Sequence, residues 1–193
     1  RGMIPNDRYY DKAYNRSWNG LTIISISIGQ GEVTATPLQI ANLGATIANR
    51  GYFITPHVVA EVEGARLDSL YAQKRYTKVR REHYETVVQG MRQAVLGGTC
   101  RGADLPGIEV CGKTGTAQNR GKDHSAFMGF APMKEPKIAV AVYVENGGWG
   151  ATYGVPIGAL IMEKYLNGSL SAESELKAQD IQKRRIDYGI HER

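Results

Sequence analysis

The segment Gly112-Lys113-Thr114-Gly115-Thr116-Ala117-Gln118 decides how this chain is read. It lies in a run, residues 108–118, with the two-residue period of a strand. Glycines at 112 and 115 strip side chains from the strand interior, which weakens it unless something else approaches the backbone there. That points to a ligand. An extended peptide can add to such an edge by main-chain hydrogen bonds, with Thr114 and Thr116, two apart and on one face, offering hydroxyls and Lys113 a positive charge. The surface suits a peptide ending in a carboxylate. Strand parity puts Lys113 on the face opposite both threonines, so nothing in the pattern brings its ammonium to the same cleft.

Outward from this segment, residues 124–130 and 137–145 read as two further strands joined through Pro132 and Pro136, all three antiparallel. The last has apolar residues on both faces, Ile138, Val140, Val142 and Val144 against Ala139, Ala141 and Tyr143, which predicts a place inside the sheet. Upstream, Thr36-Pro37-Leu38-Gln39 reads as a helix N-cap, an N1 proline and the Gln of a capping box. The helix it opens, stopping at Gly51, is apolar on both sides and expected to be buried all round, with an Ala/Gly side open to another backbone. Residues 81–96 form a second helix with Tyr84, Val87, Val88, Met91 and Val95 on one face and Gly97-Gly98 as its stop. A turn through Gly147, Gly148 and Gly150 leads to a helix over 156–166 ending at Asn167-Gly168. The fold class is therefore α/β (α+β), an antiparallel sheet flanked by helices. One domain is expected over residues 1–167, followed by a polar, loosely docked tail at 168–193; the Tyr-rich opening to Trp18 shows neither cap nor period.

The chain has 193 residues, 22% charged and 42% hydrophobic, with a net charge of +5, which excludes intrinsic disorder for its body. Its longest apolar run, 138–144, falls far short of the roughly 18 residues of a membrane span. Cys100 and Cys111 are too few for a four-ligand metal site or a disulfide framework; one disulfide between them is compatible with an oxidising compartment. Lys74, Arg75, Lys78, Arg80 and Arg81 crowd together, but acids follow at Glu82 and Glu85 and no stacking platform accompanies them, so a solvated surface rather than a nucleic-acid site is expected. The Gly147–Gly150 turn lacks the lysine and hydroxyl of a phosphate loop. His124 reads as an ordinary strand-end histidine, with a place at the mouth of a cleft as the alternative.

KTGTAQ (113–118), the preceding LPGIEVCG (105–112), the following HSAFMGFAP (124–132) and VAVYVENGG (140–148), and the upstream SIGQGEVTATPLQIANLGATIANRG (27–51) together resemble the transpeptidase domain of class B penicillin-binding proteins, nearest to the elongation-type penicillin-binding protein 2 group. The resemblance implies a serine D,D-transpeptidase. Such an enzyme opens the D-Ala-D-Ala end of a peptidoglycan stem peptide through an acyl-enzyme, and β-lactams acylate the same serine. It implies Lys113 and Thr116 as catalytic residues and Lys113, Thr114, Gly115, Thr116 and Gln118 as substrate-binding residues. Lys113 supplies positive potential beside the active-site lysine, the Thr116 N–H half of the oxyanion hole, and the two threonines the carboxylate contact. It further implies a membrane glycosyltransferase as partner, a place on the periplasmic face of the bacterial inner membrane, and no metal or organic cofactor.

That family also needs an SxxK nucleophile and base and an SxN motif. Ser174 to Lys177 spells SxxK but falls in the expected polar tail, and Ser17-Trp18-Asn19 spells SxN only about ten residues before the GQG segment. Neither fits, so the nucleophile is expected upstream of residue 1 and this chain alone is expected to be inactive. The alternatives are a serine β-lactamase or penicillin sensor of the same fold, and a peptidoglycan-binding module that lost its serine.

Overall fold

Thr36 opens the first long helix as its sequence predicts. In a computed structural model, which describes residues 2–66, 68–186 and 188, helix α3 (Pro37–Ala48) carries a full capping box: Gln39 N–H donates to Thr36 Oγ1 (3.3 Å) and Thr36 N–H to Gln39 Oε1 (2.9 Å). Two shorter helices precede it, α1 (Asp7–Ala13), in the opening read as having neither cap nor period, and α2 (Gly20–Ser27). The caps are asparagines: Asn6 Oδ1 accepts from Tyr9 N–H and Asn19 Oδ1 from Leu21 N–H, both at 2.9 Å. Asn19 is thereby the cap of α2, which gives the SxN look-alike a structural use. Helix α1 is held from a distance. Tyr10, which stacks near Trp18 (5.8 Å between ring centres), donates to Glu32 at 3.1 Å, and Tyr14 donates to the same carboxylate. Burial, then the Glu32 bond, pushes the Tyr10 hydroxyl up to about 12, while the Tyr14 bond leads in holding Glu32 below the usual carboxylate range.

Helix α3 is followed by β1 (Tyr52–Phe53), a short helix α4 (Ser69–Ala72) and β2 (Arg75–Tyr76), the two strands pairing antiparallel. Helix α5 (Arg81–Leu96) then buries Tyr84, Val88, Met91 and Val95. After a 3-10 turn (Arg101–Ala103) come β3 (Cys111–Ala117), β4 (His124–Ala131) and β5 (Ile138–Val144), then α6 (Gly154–Asn167), closed by Gly168 in the left-handed region (φ 74°), and α7 (Ala172–Lys183).

The three long strands form one antiparallel sheet in the order β3-β4-β5. Its two faces are covered separately. Phe127 and Ala131 point into a cluster with Val155, Ala159 and Met162 of α6, while Phe130 and Cys111 point into one with Ile47 and Ala48 of α3 and Val88 and Met91 of α5. Four expectations need correction. Strand β4, not β5, is central among the described strands; apolar residues on both faces of β5 report α3 above and α6 below, which says nothing about neighbours at its edges. Helix α3 is not buried all round, because it packs against β1, β4, β5 and α5 while Leu38 and Leu43 stay more than half exposed. Val87 likewise lies at the margin of the α5 stripe and is 45% exposed.

The fourth correction concerns the tail. Within the expected tail, Ala172–Lys183 form α7, which Ser171 caps and which docks on α6: Ser171 N–H donates to Glu163 Oε1 (3.0 Å), and Ser174 is buried beneath it. Lys177 pairs with Glu173 at 2.8 Å. Both ends of the SxxK look-alike thus serve this helix. Arg184 ties the following segment back by donating to Thr152 O (2.8 Å).

Phe127 organises the α6 face. A Cβ added to Gly112, Gly129 or Gly158 would stand 2.6, 2.6 or 2.4 Å from its ring, and one on Gly154 3.0 Å from its Cβ. Gly158→Ala therefore sets a helix-propensity gain of about 1 kcal/mol against overpacking of a ring that cannot retreat, about 1–3 kcal/mol. A net loss of stability by urea unfolding is expected, and a gain would refute the packing account. Burial raises the Glu163 carboxyl, but the Ser174 hydroxyl, Ser171 and Lys177 together outweigh it and hold the group below its usual range, although Oε2 itself has no bonded partner. A lowered folded pKa stabilises above the unfolded value and is lost as pH falls through the folded one. The protection of the α7 amides, measured against the intrinsic exchange rate at the same pH, should therefore fall below about pH 4, and Glu163→Gln should remove that pH dependence.

Candidate active site

Strand β3 is bonded to β4 on one side, and no described strand lies on the other. That open edge is identified by Gln30, whose Nε2 donates to Thr116 O (3.0 Å) and whose Oε1 accepts from Gln118 N–H (3.4 Å). Alternate residues of an antiparallel strand send both main-chain groups to the same side. Thr114, Thr116 and Gln118 therefore address the open edge, while Lys113, Gly115 and Ala117 are turned to their register partners Met128, Ala126 and His124. The Thr116 N–H is a main-chain donor on this edge with no acceptor among the described residues, and Thr116 itself is exposed.

The Lys113 side chain does not stay on its own face. Its ammonium curls round and donates to Thr114 O at 2.7 Å, an edge-facing carbonyl. Parity fixes where a Cβ starts, but four methylenes are long enough to carry the charge round the strand. The ammonium and the Thr116 amide thus share one edge. The two threonine hydroxyls have parted ways: Thr114 Oγ1 is bonded to Thr99 Oγ1 (2.8 Å), leaving Thr116 as the threonine free to meet a ligand. The glycine argument also changes. The space at Gly112 is taken by the Phe127 ring, and a Cβ at Gly115 would be 3.3 Å from that of Ala126. Gly112 serves the core, not a ligand.

On the Thr114 face the glycine turn forms a wall over the seam between β3 and β4. Gly150 packs so closely that a Cβ there would be 2.8 Å from Gly115 O and 2.9 Å from Thr114 Cβ. Its turn is pinned by Gly148 N–H to Asp123 O (2.8 Å) and by Ser125, which donates to Trp149 O (2.8 Å) and accepts from Gly154 N–H (3.0 Å). Gly147 N–H goes to Val144 O. With these amides bonded internally, the turn is a wall and not a phosphate cradle. His124 Nδ1 accepts from Asn146 N–H (3.0 Å) and its ring lies 5.3 Å from that of Tyr143, the geometry of a strand-end residue.

Gln30 is the edge contact that sequence reasoning missed. Its signal was present: it sits between Gly29 and Gly31, both at positive φ (79° and 69°), a turn that presents one side chain. Cys100 and Cys111 are both free and buried, and burial pushes the Cys111 thiol up to about 11 against the pull of Arg92 and Arg50. Of the basic cluster, Lys74 lies 4.5 Å over the Tyr52 ring and Arg80 pairs with Glu82 at 3.0 Å. Among the described residues no group of His, Cys, Asp and Glu could hold a metal ion, and no helix is long and apolar enough to cross a membrane.

Residues 7–165 match the family described as the penicillin binding protein transpeptidase domain. A peptidoglycan D,D-transpeptidase of Haemophilus influenzae, MrdA, is 35% identical over 191 residues, covering 86% of this chain and 29% of the relative. The chain thus spans less than a third of that relative's length. Among solved structures, Pseudomonas aeruginosa PBP2 in complex with WCK 5153 superposes with a TM-score of 0.73 at 35% identity, over 89% of this chain and 39% of that one. A structure described as the coordination of polymerization and crosslinking by a peptidoglycan synthase complex gives 0.72 at 32% identity, over 89% and 30%.

The Gln30 contact is checked by amide exchange in this chain. Gln30→Ala removes the acceptor of Gln118 N–H, a bond worth about 1 kcal/mol, so that amide should exchange roughly five-fold faster, with β4 and β5 amides unchanged. Equal acceleration across the sheet would make Gln30 a stability residue instead.

Proposed function

The chain belongs to the penicillin-binding protein transpeptidase family, and on that premise we propose that it is the C-terminal part of the transpeptidase domain of an elongation-type peptidoglycan D,D-transpeptidase. The observation that carries the reading is the open β3 edge, where the Lys113 ammonium and the Thr116 N–H stand together beside an exposed threonine.

In the reaction proposed, a serine supplied from upstream attacks the carbonyl of the penultimate D-alanine. The terminal D-alanine leaves as its amine after taking up the serine proton through a base, and an acceptor amine then displaces the serine to form the crosslink. The Thr116 N–H supports the negative oxygen of each tetrahedral intermediate. Lys113 adds positive potential, which disfavours a second ammonium nearby and keeps an upstream lysine neutral enough to act as base. The terminal carboxylate lies on Thr116 and the Lys113 charge, with Thr114 behind them and Gly115, close against Ala126 of β4, spacing the two threonines along the edge. The rest of the peptide takes the bonds to Thr116 O and Gln118 N–H that Gln30 makes here. β-Lactams enter by the same edge and acylate the same serine. The protein works on the periplasmic face of the inner membrane, with a membrane glycosyltransferase supplying the glycan strands.

Two experiments test this. Labelled penicillin should add no covalent mass to this chain alone, and one adduct per molecule to the full-length protein, on a serine upstream of residue 1; an adduct on Ser174 would place the nucleophile elsewhere. In the full-length protein Thr116→Pro deletes the edge N–H without removing a bond to β4, and acylation should slow by roughly 10²–10³-fold. Thr116→Val, which keeps the N–H, should slow it far less.

A further inference from the structure

Past Gln118 the β3 edge runs into the hairpin turn at 119–123, and beside that turn opens a cavity of about 380 Å3 lined by Lys122, Asn146, Trp149, Tyr153 and Arg185, among others. Three stretches of chain are tied together around it. Asn119 Nδ2 donates to Asn146 Oδ1 (3.0 Å), joining the hairpin to the glycine turn. Arg184 donates to Thr152 O, lies 5.6 Å over the Tyr153 ring and is anchored by Asp180 at 2.6 Å, which holds the neighbouring Arg185 at the cavity. Among the described residues the lining carries two positive charges and no carboxylate, and neither Lys122 nor Arg185 has an acidic partner there. Trp149 is 75% exposed although its main chain is pinned by Ser125. A rigidly mounted, solvent-facing indole next to two cations fits a ligand with an apolar stem and an anionic end.

We propose that this cavity is a subsite for an acidic side chain of the peptide that lies on β3, its methylenes against Trp149 and its carboxylate on Lys122 and Arg185. The inference rests on the transpeptidase reading, which puts the peptide's terminal carboxylate at Lys113 and Thr116. From there the edge groups at Thr116 O and Gln118 N–H lead toward the hairpin. At about 3.3 Å per residue, a side chain roughly two to four residues upstream of the terminus arrives at Lys122. The subsite reads a part of the substrate that penicillin lacks.

The test uses the full-length protein and two synthetic peptides ending in D-Ala-D-Ala that differ only in whether the upstream acidic side chain is a carboxylate or a carboxamide. Wild type should release D-alanine faster from the carboxylate peptide. Lys122→Glu with Arg185→Glu should lower kcat/KM for that peptide about five- to twenty-fold, mainly through KM, leave the carboxamide peptide unaffected, and leave the rate of acylation by labelled penicillin unchanged. Trp149→Ala should weaken both peptides alike and spare penicillin. Equal losses on both peptides in the charge-reversed variant, or no preference in wild type, would overturn the subsite while penicillin acylation still upheld the transpeptidase reading. If wild type neither took up penicillin nor released D-alanine, the transpeptidase reading would fail and the subsite with it.

Discussion

One aromatic ring sets the spacing of this fold. Phe127, on the central strand, projects toward α6 into room left by glycines on β3, on β4 itself and at two successive turns of α6. Because none of these positions has a side chain, the helix lies directly on the sheet and the ring fills the interval at the density of a crystal interior. The start of α6 is thereby fixed over the β3–β4 hairpin, and the glycine turn before it has one course to take. That course brings Gly150 against Gly115 and Thr114 and Ser125 into contact with both Trp149 and Gly154. The turn that covers the β3–β4 seam is thus a consequence of how a core residue is packed on the same face of the sheet.

The edge itself is built for rigid recognition. β3 is secured on one side by a seven-residue ladder to β4, so the main-chain groups on its other side are held in place before any ligand arrives. Fixed donors and acceptors need no reorganisation when charge develops in front of them, which is where such an arrangement exceeds what water offers. Gln30 shows that the edge accepts a partner of peptide shape: a side-chain amide has one donor and one acceptor group spaced like those of a peptide unit, and it takes up Thr116 O and Gln118 N–H together. Lys113 completes the surface by reaching round to it.

Much of the scaffold was legible in the residues because the forces responsible are local. The capping box at Thr36 and Gln39, the apolar stripe of α5, the stop of α6 at Gly168 and the two-residue period of the long strands each act within a few residues of sequence. The KTG strand and its flanking segments carried the family and the antiparallel α/β (α+β) architecture in the same way. What was misread depended on residues distant in sequence. Helix α1 owes its place to Glu32, α7 to Glu163, and the exposed side of α3 to the absence of any described element against it.

Sequence by itself determined the helices α3, α5 and α6 and the three long strands, the order Gly-Lys-Thr-Gly-Thr along one of them, and which family such a chain joins. Folding in three dimensions assigned the parts: Gly112 to the core, Thr114 to Thr99, Thr116 and the Lys113 charge to the open edge, Gln30 to the same edge from 86 residues away. Period and propensity describe a strand one residue at a time, whereas a hydrogen bond between residues 30 and 116, or the reach of a lysine round an edge, exists only once the sheet, its turns and its neighbours occupy the same space.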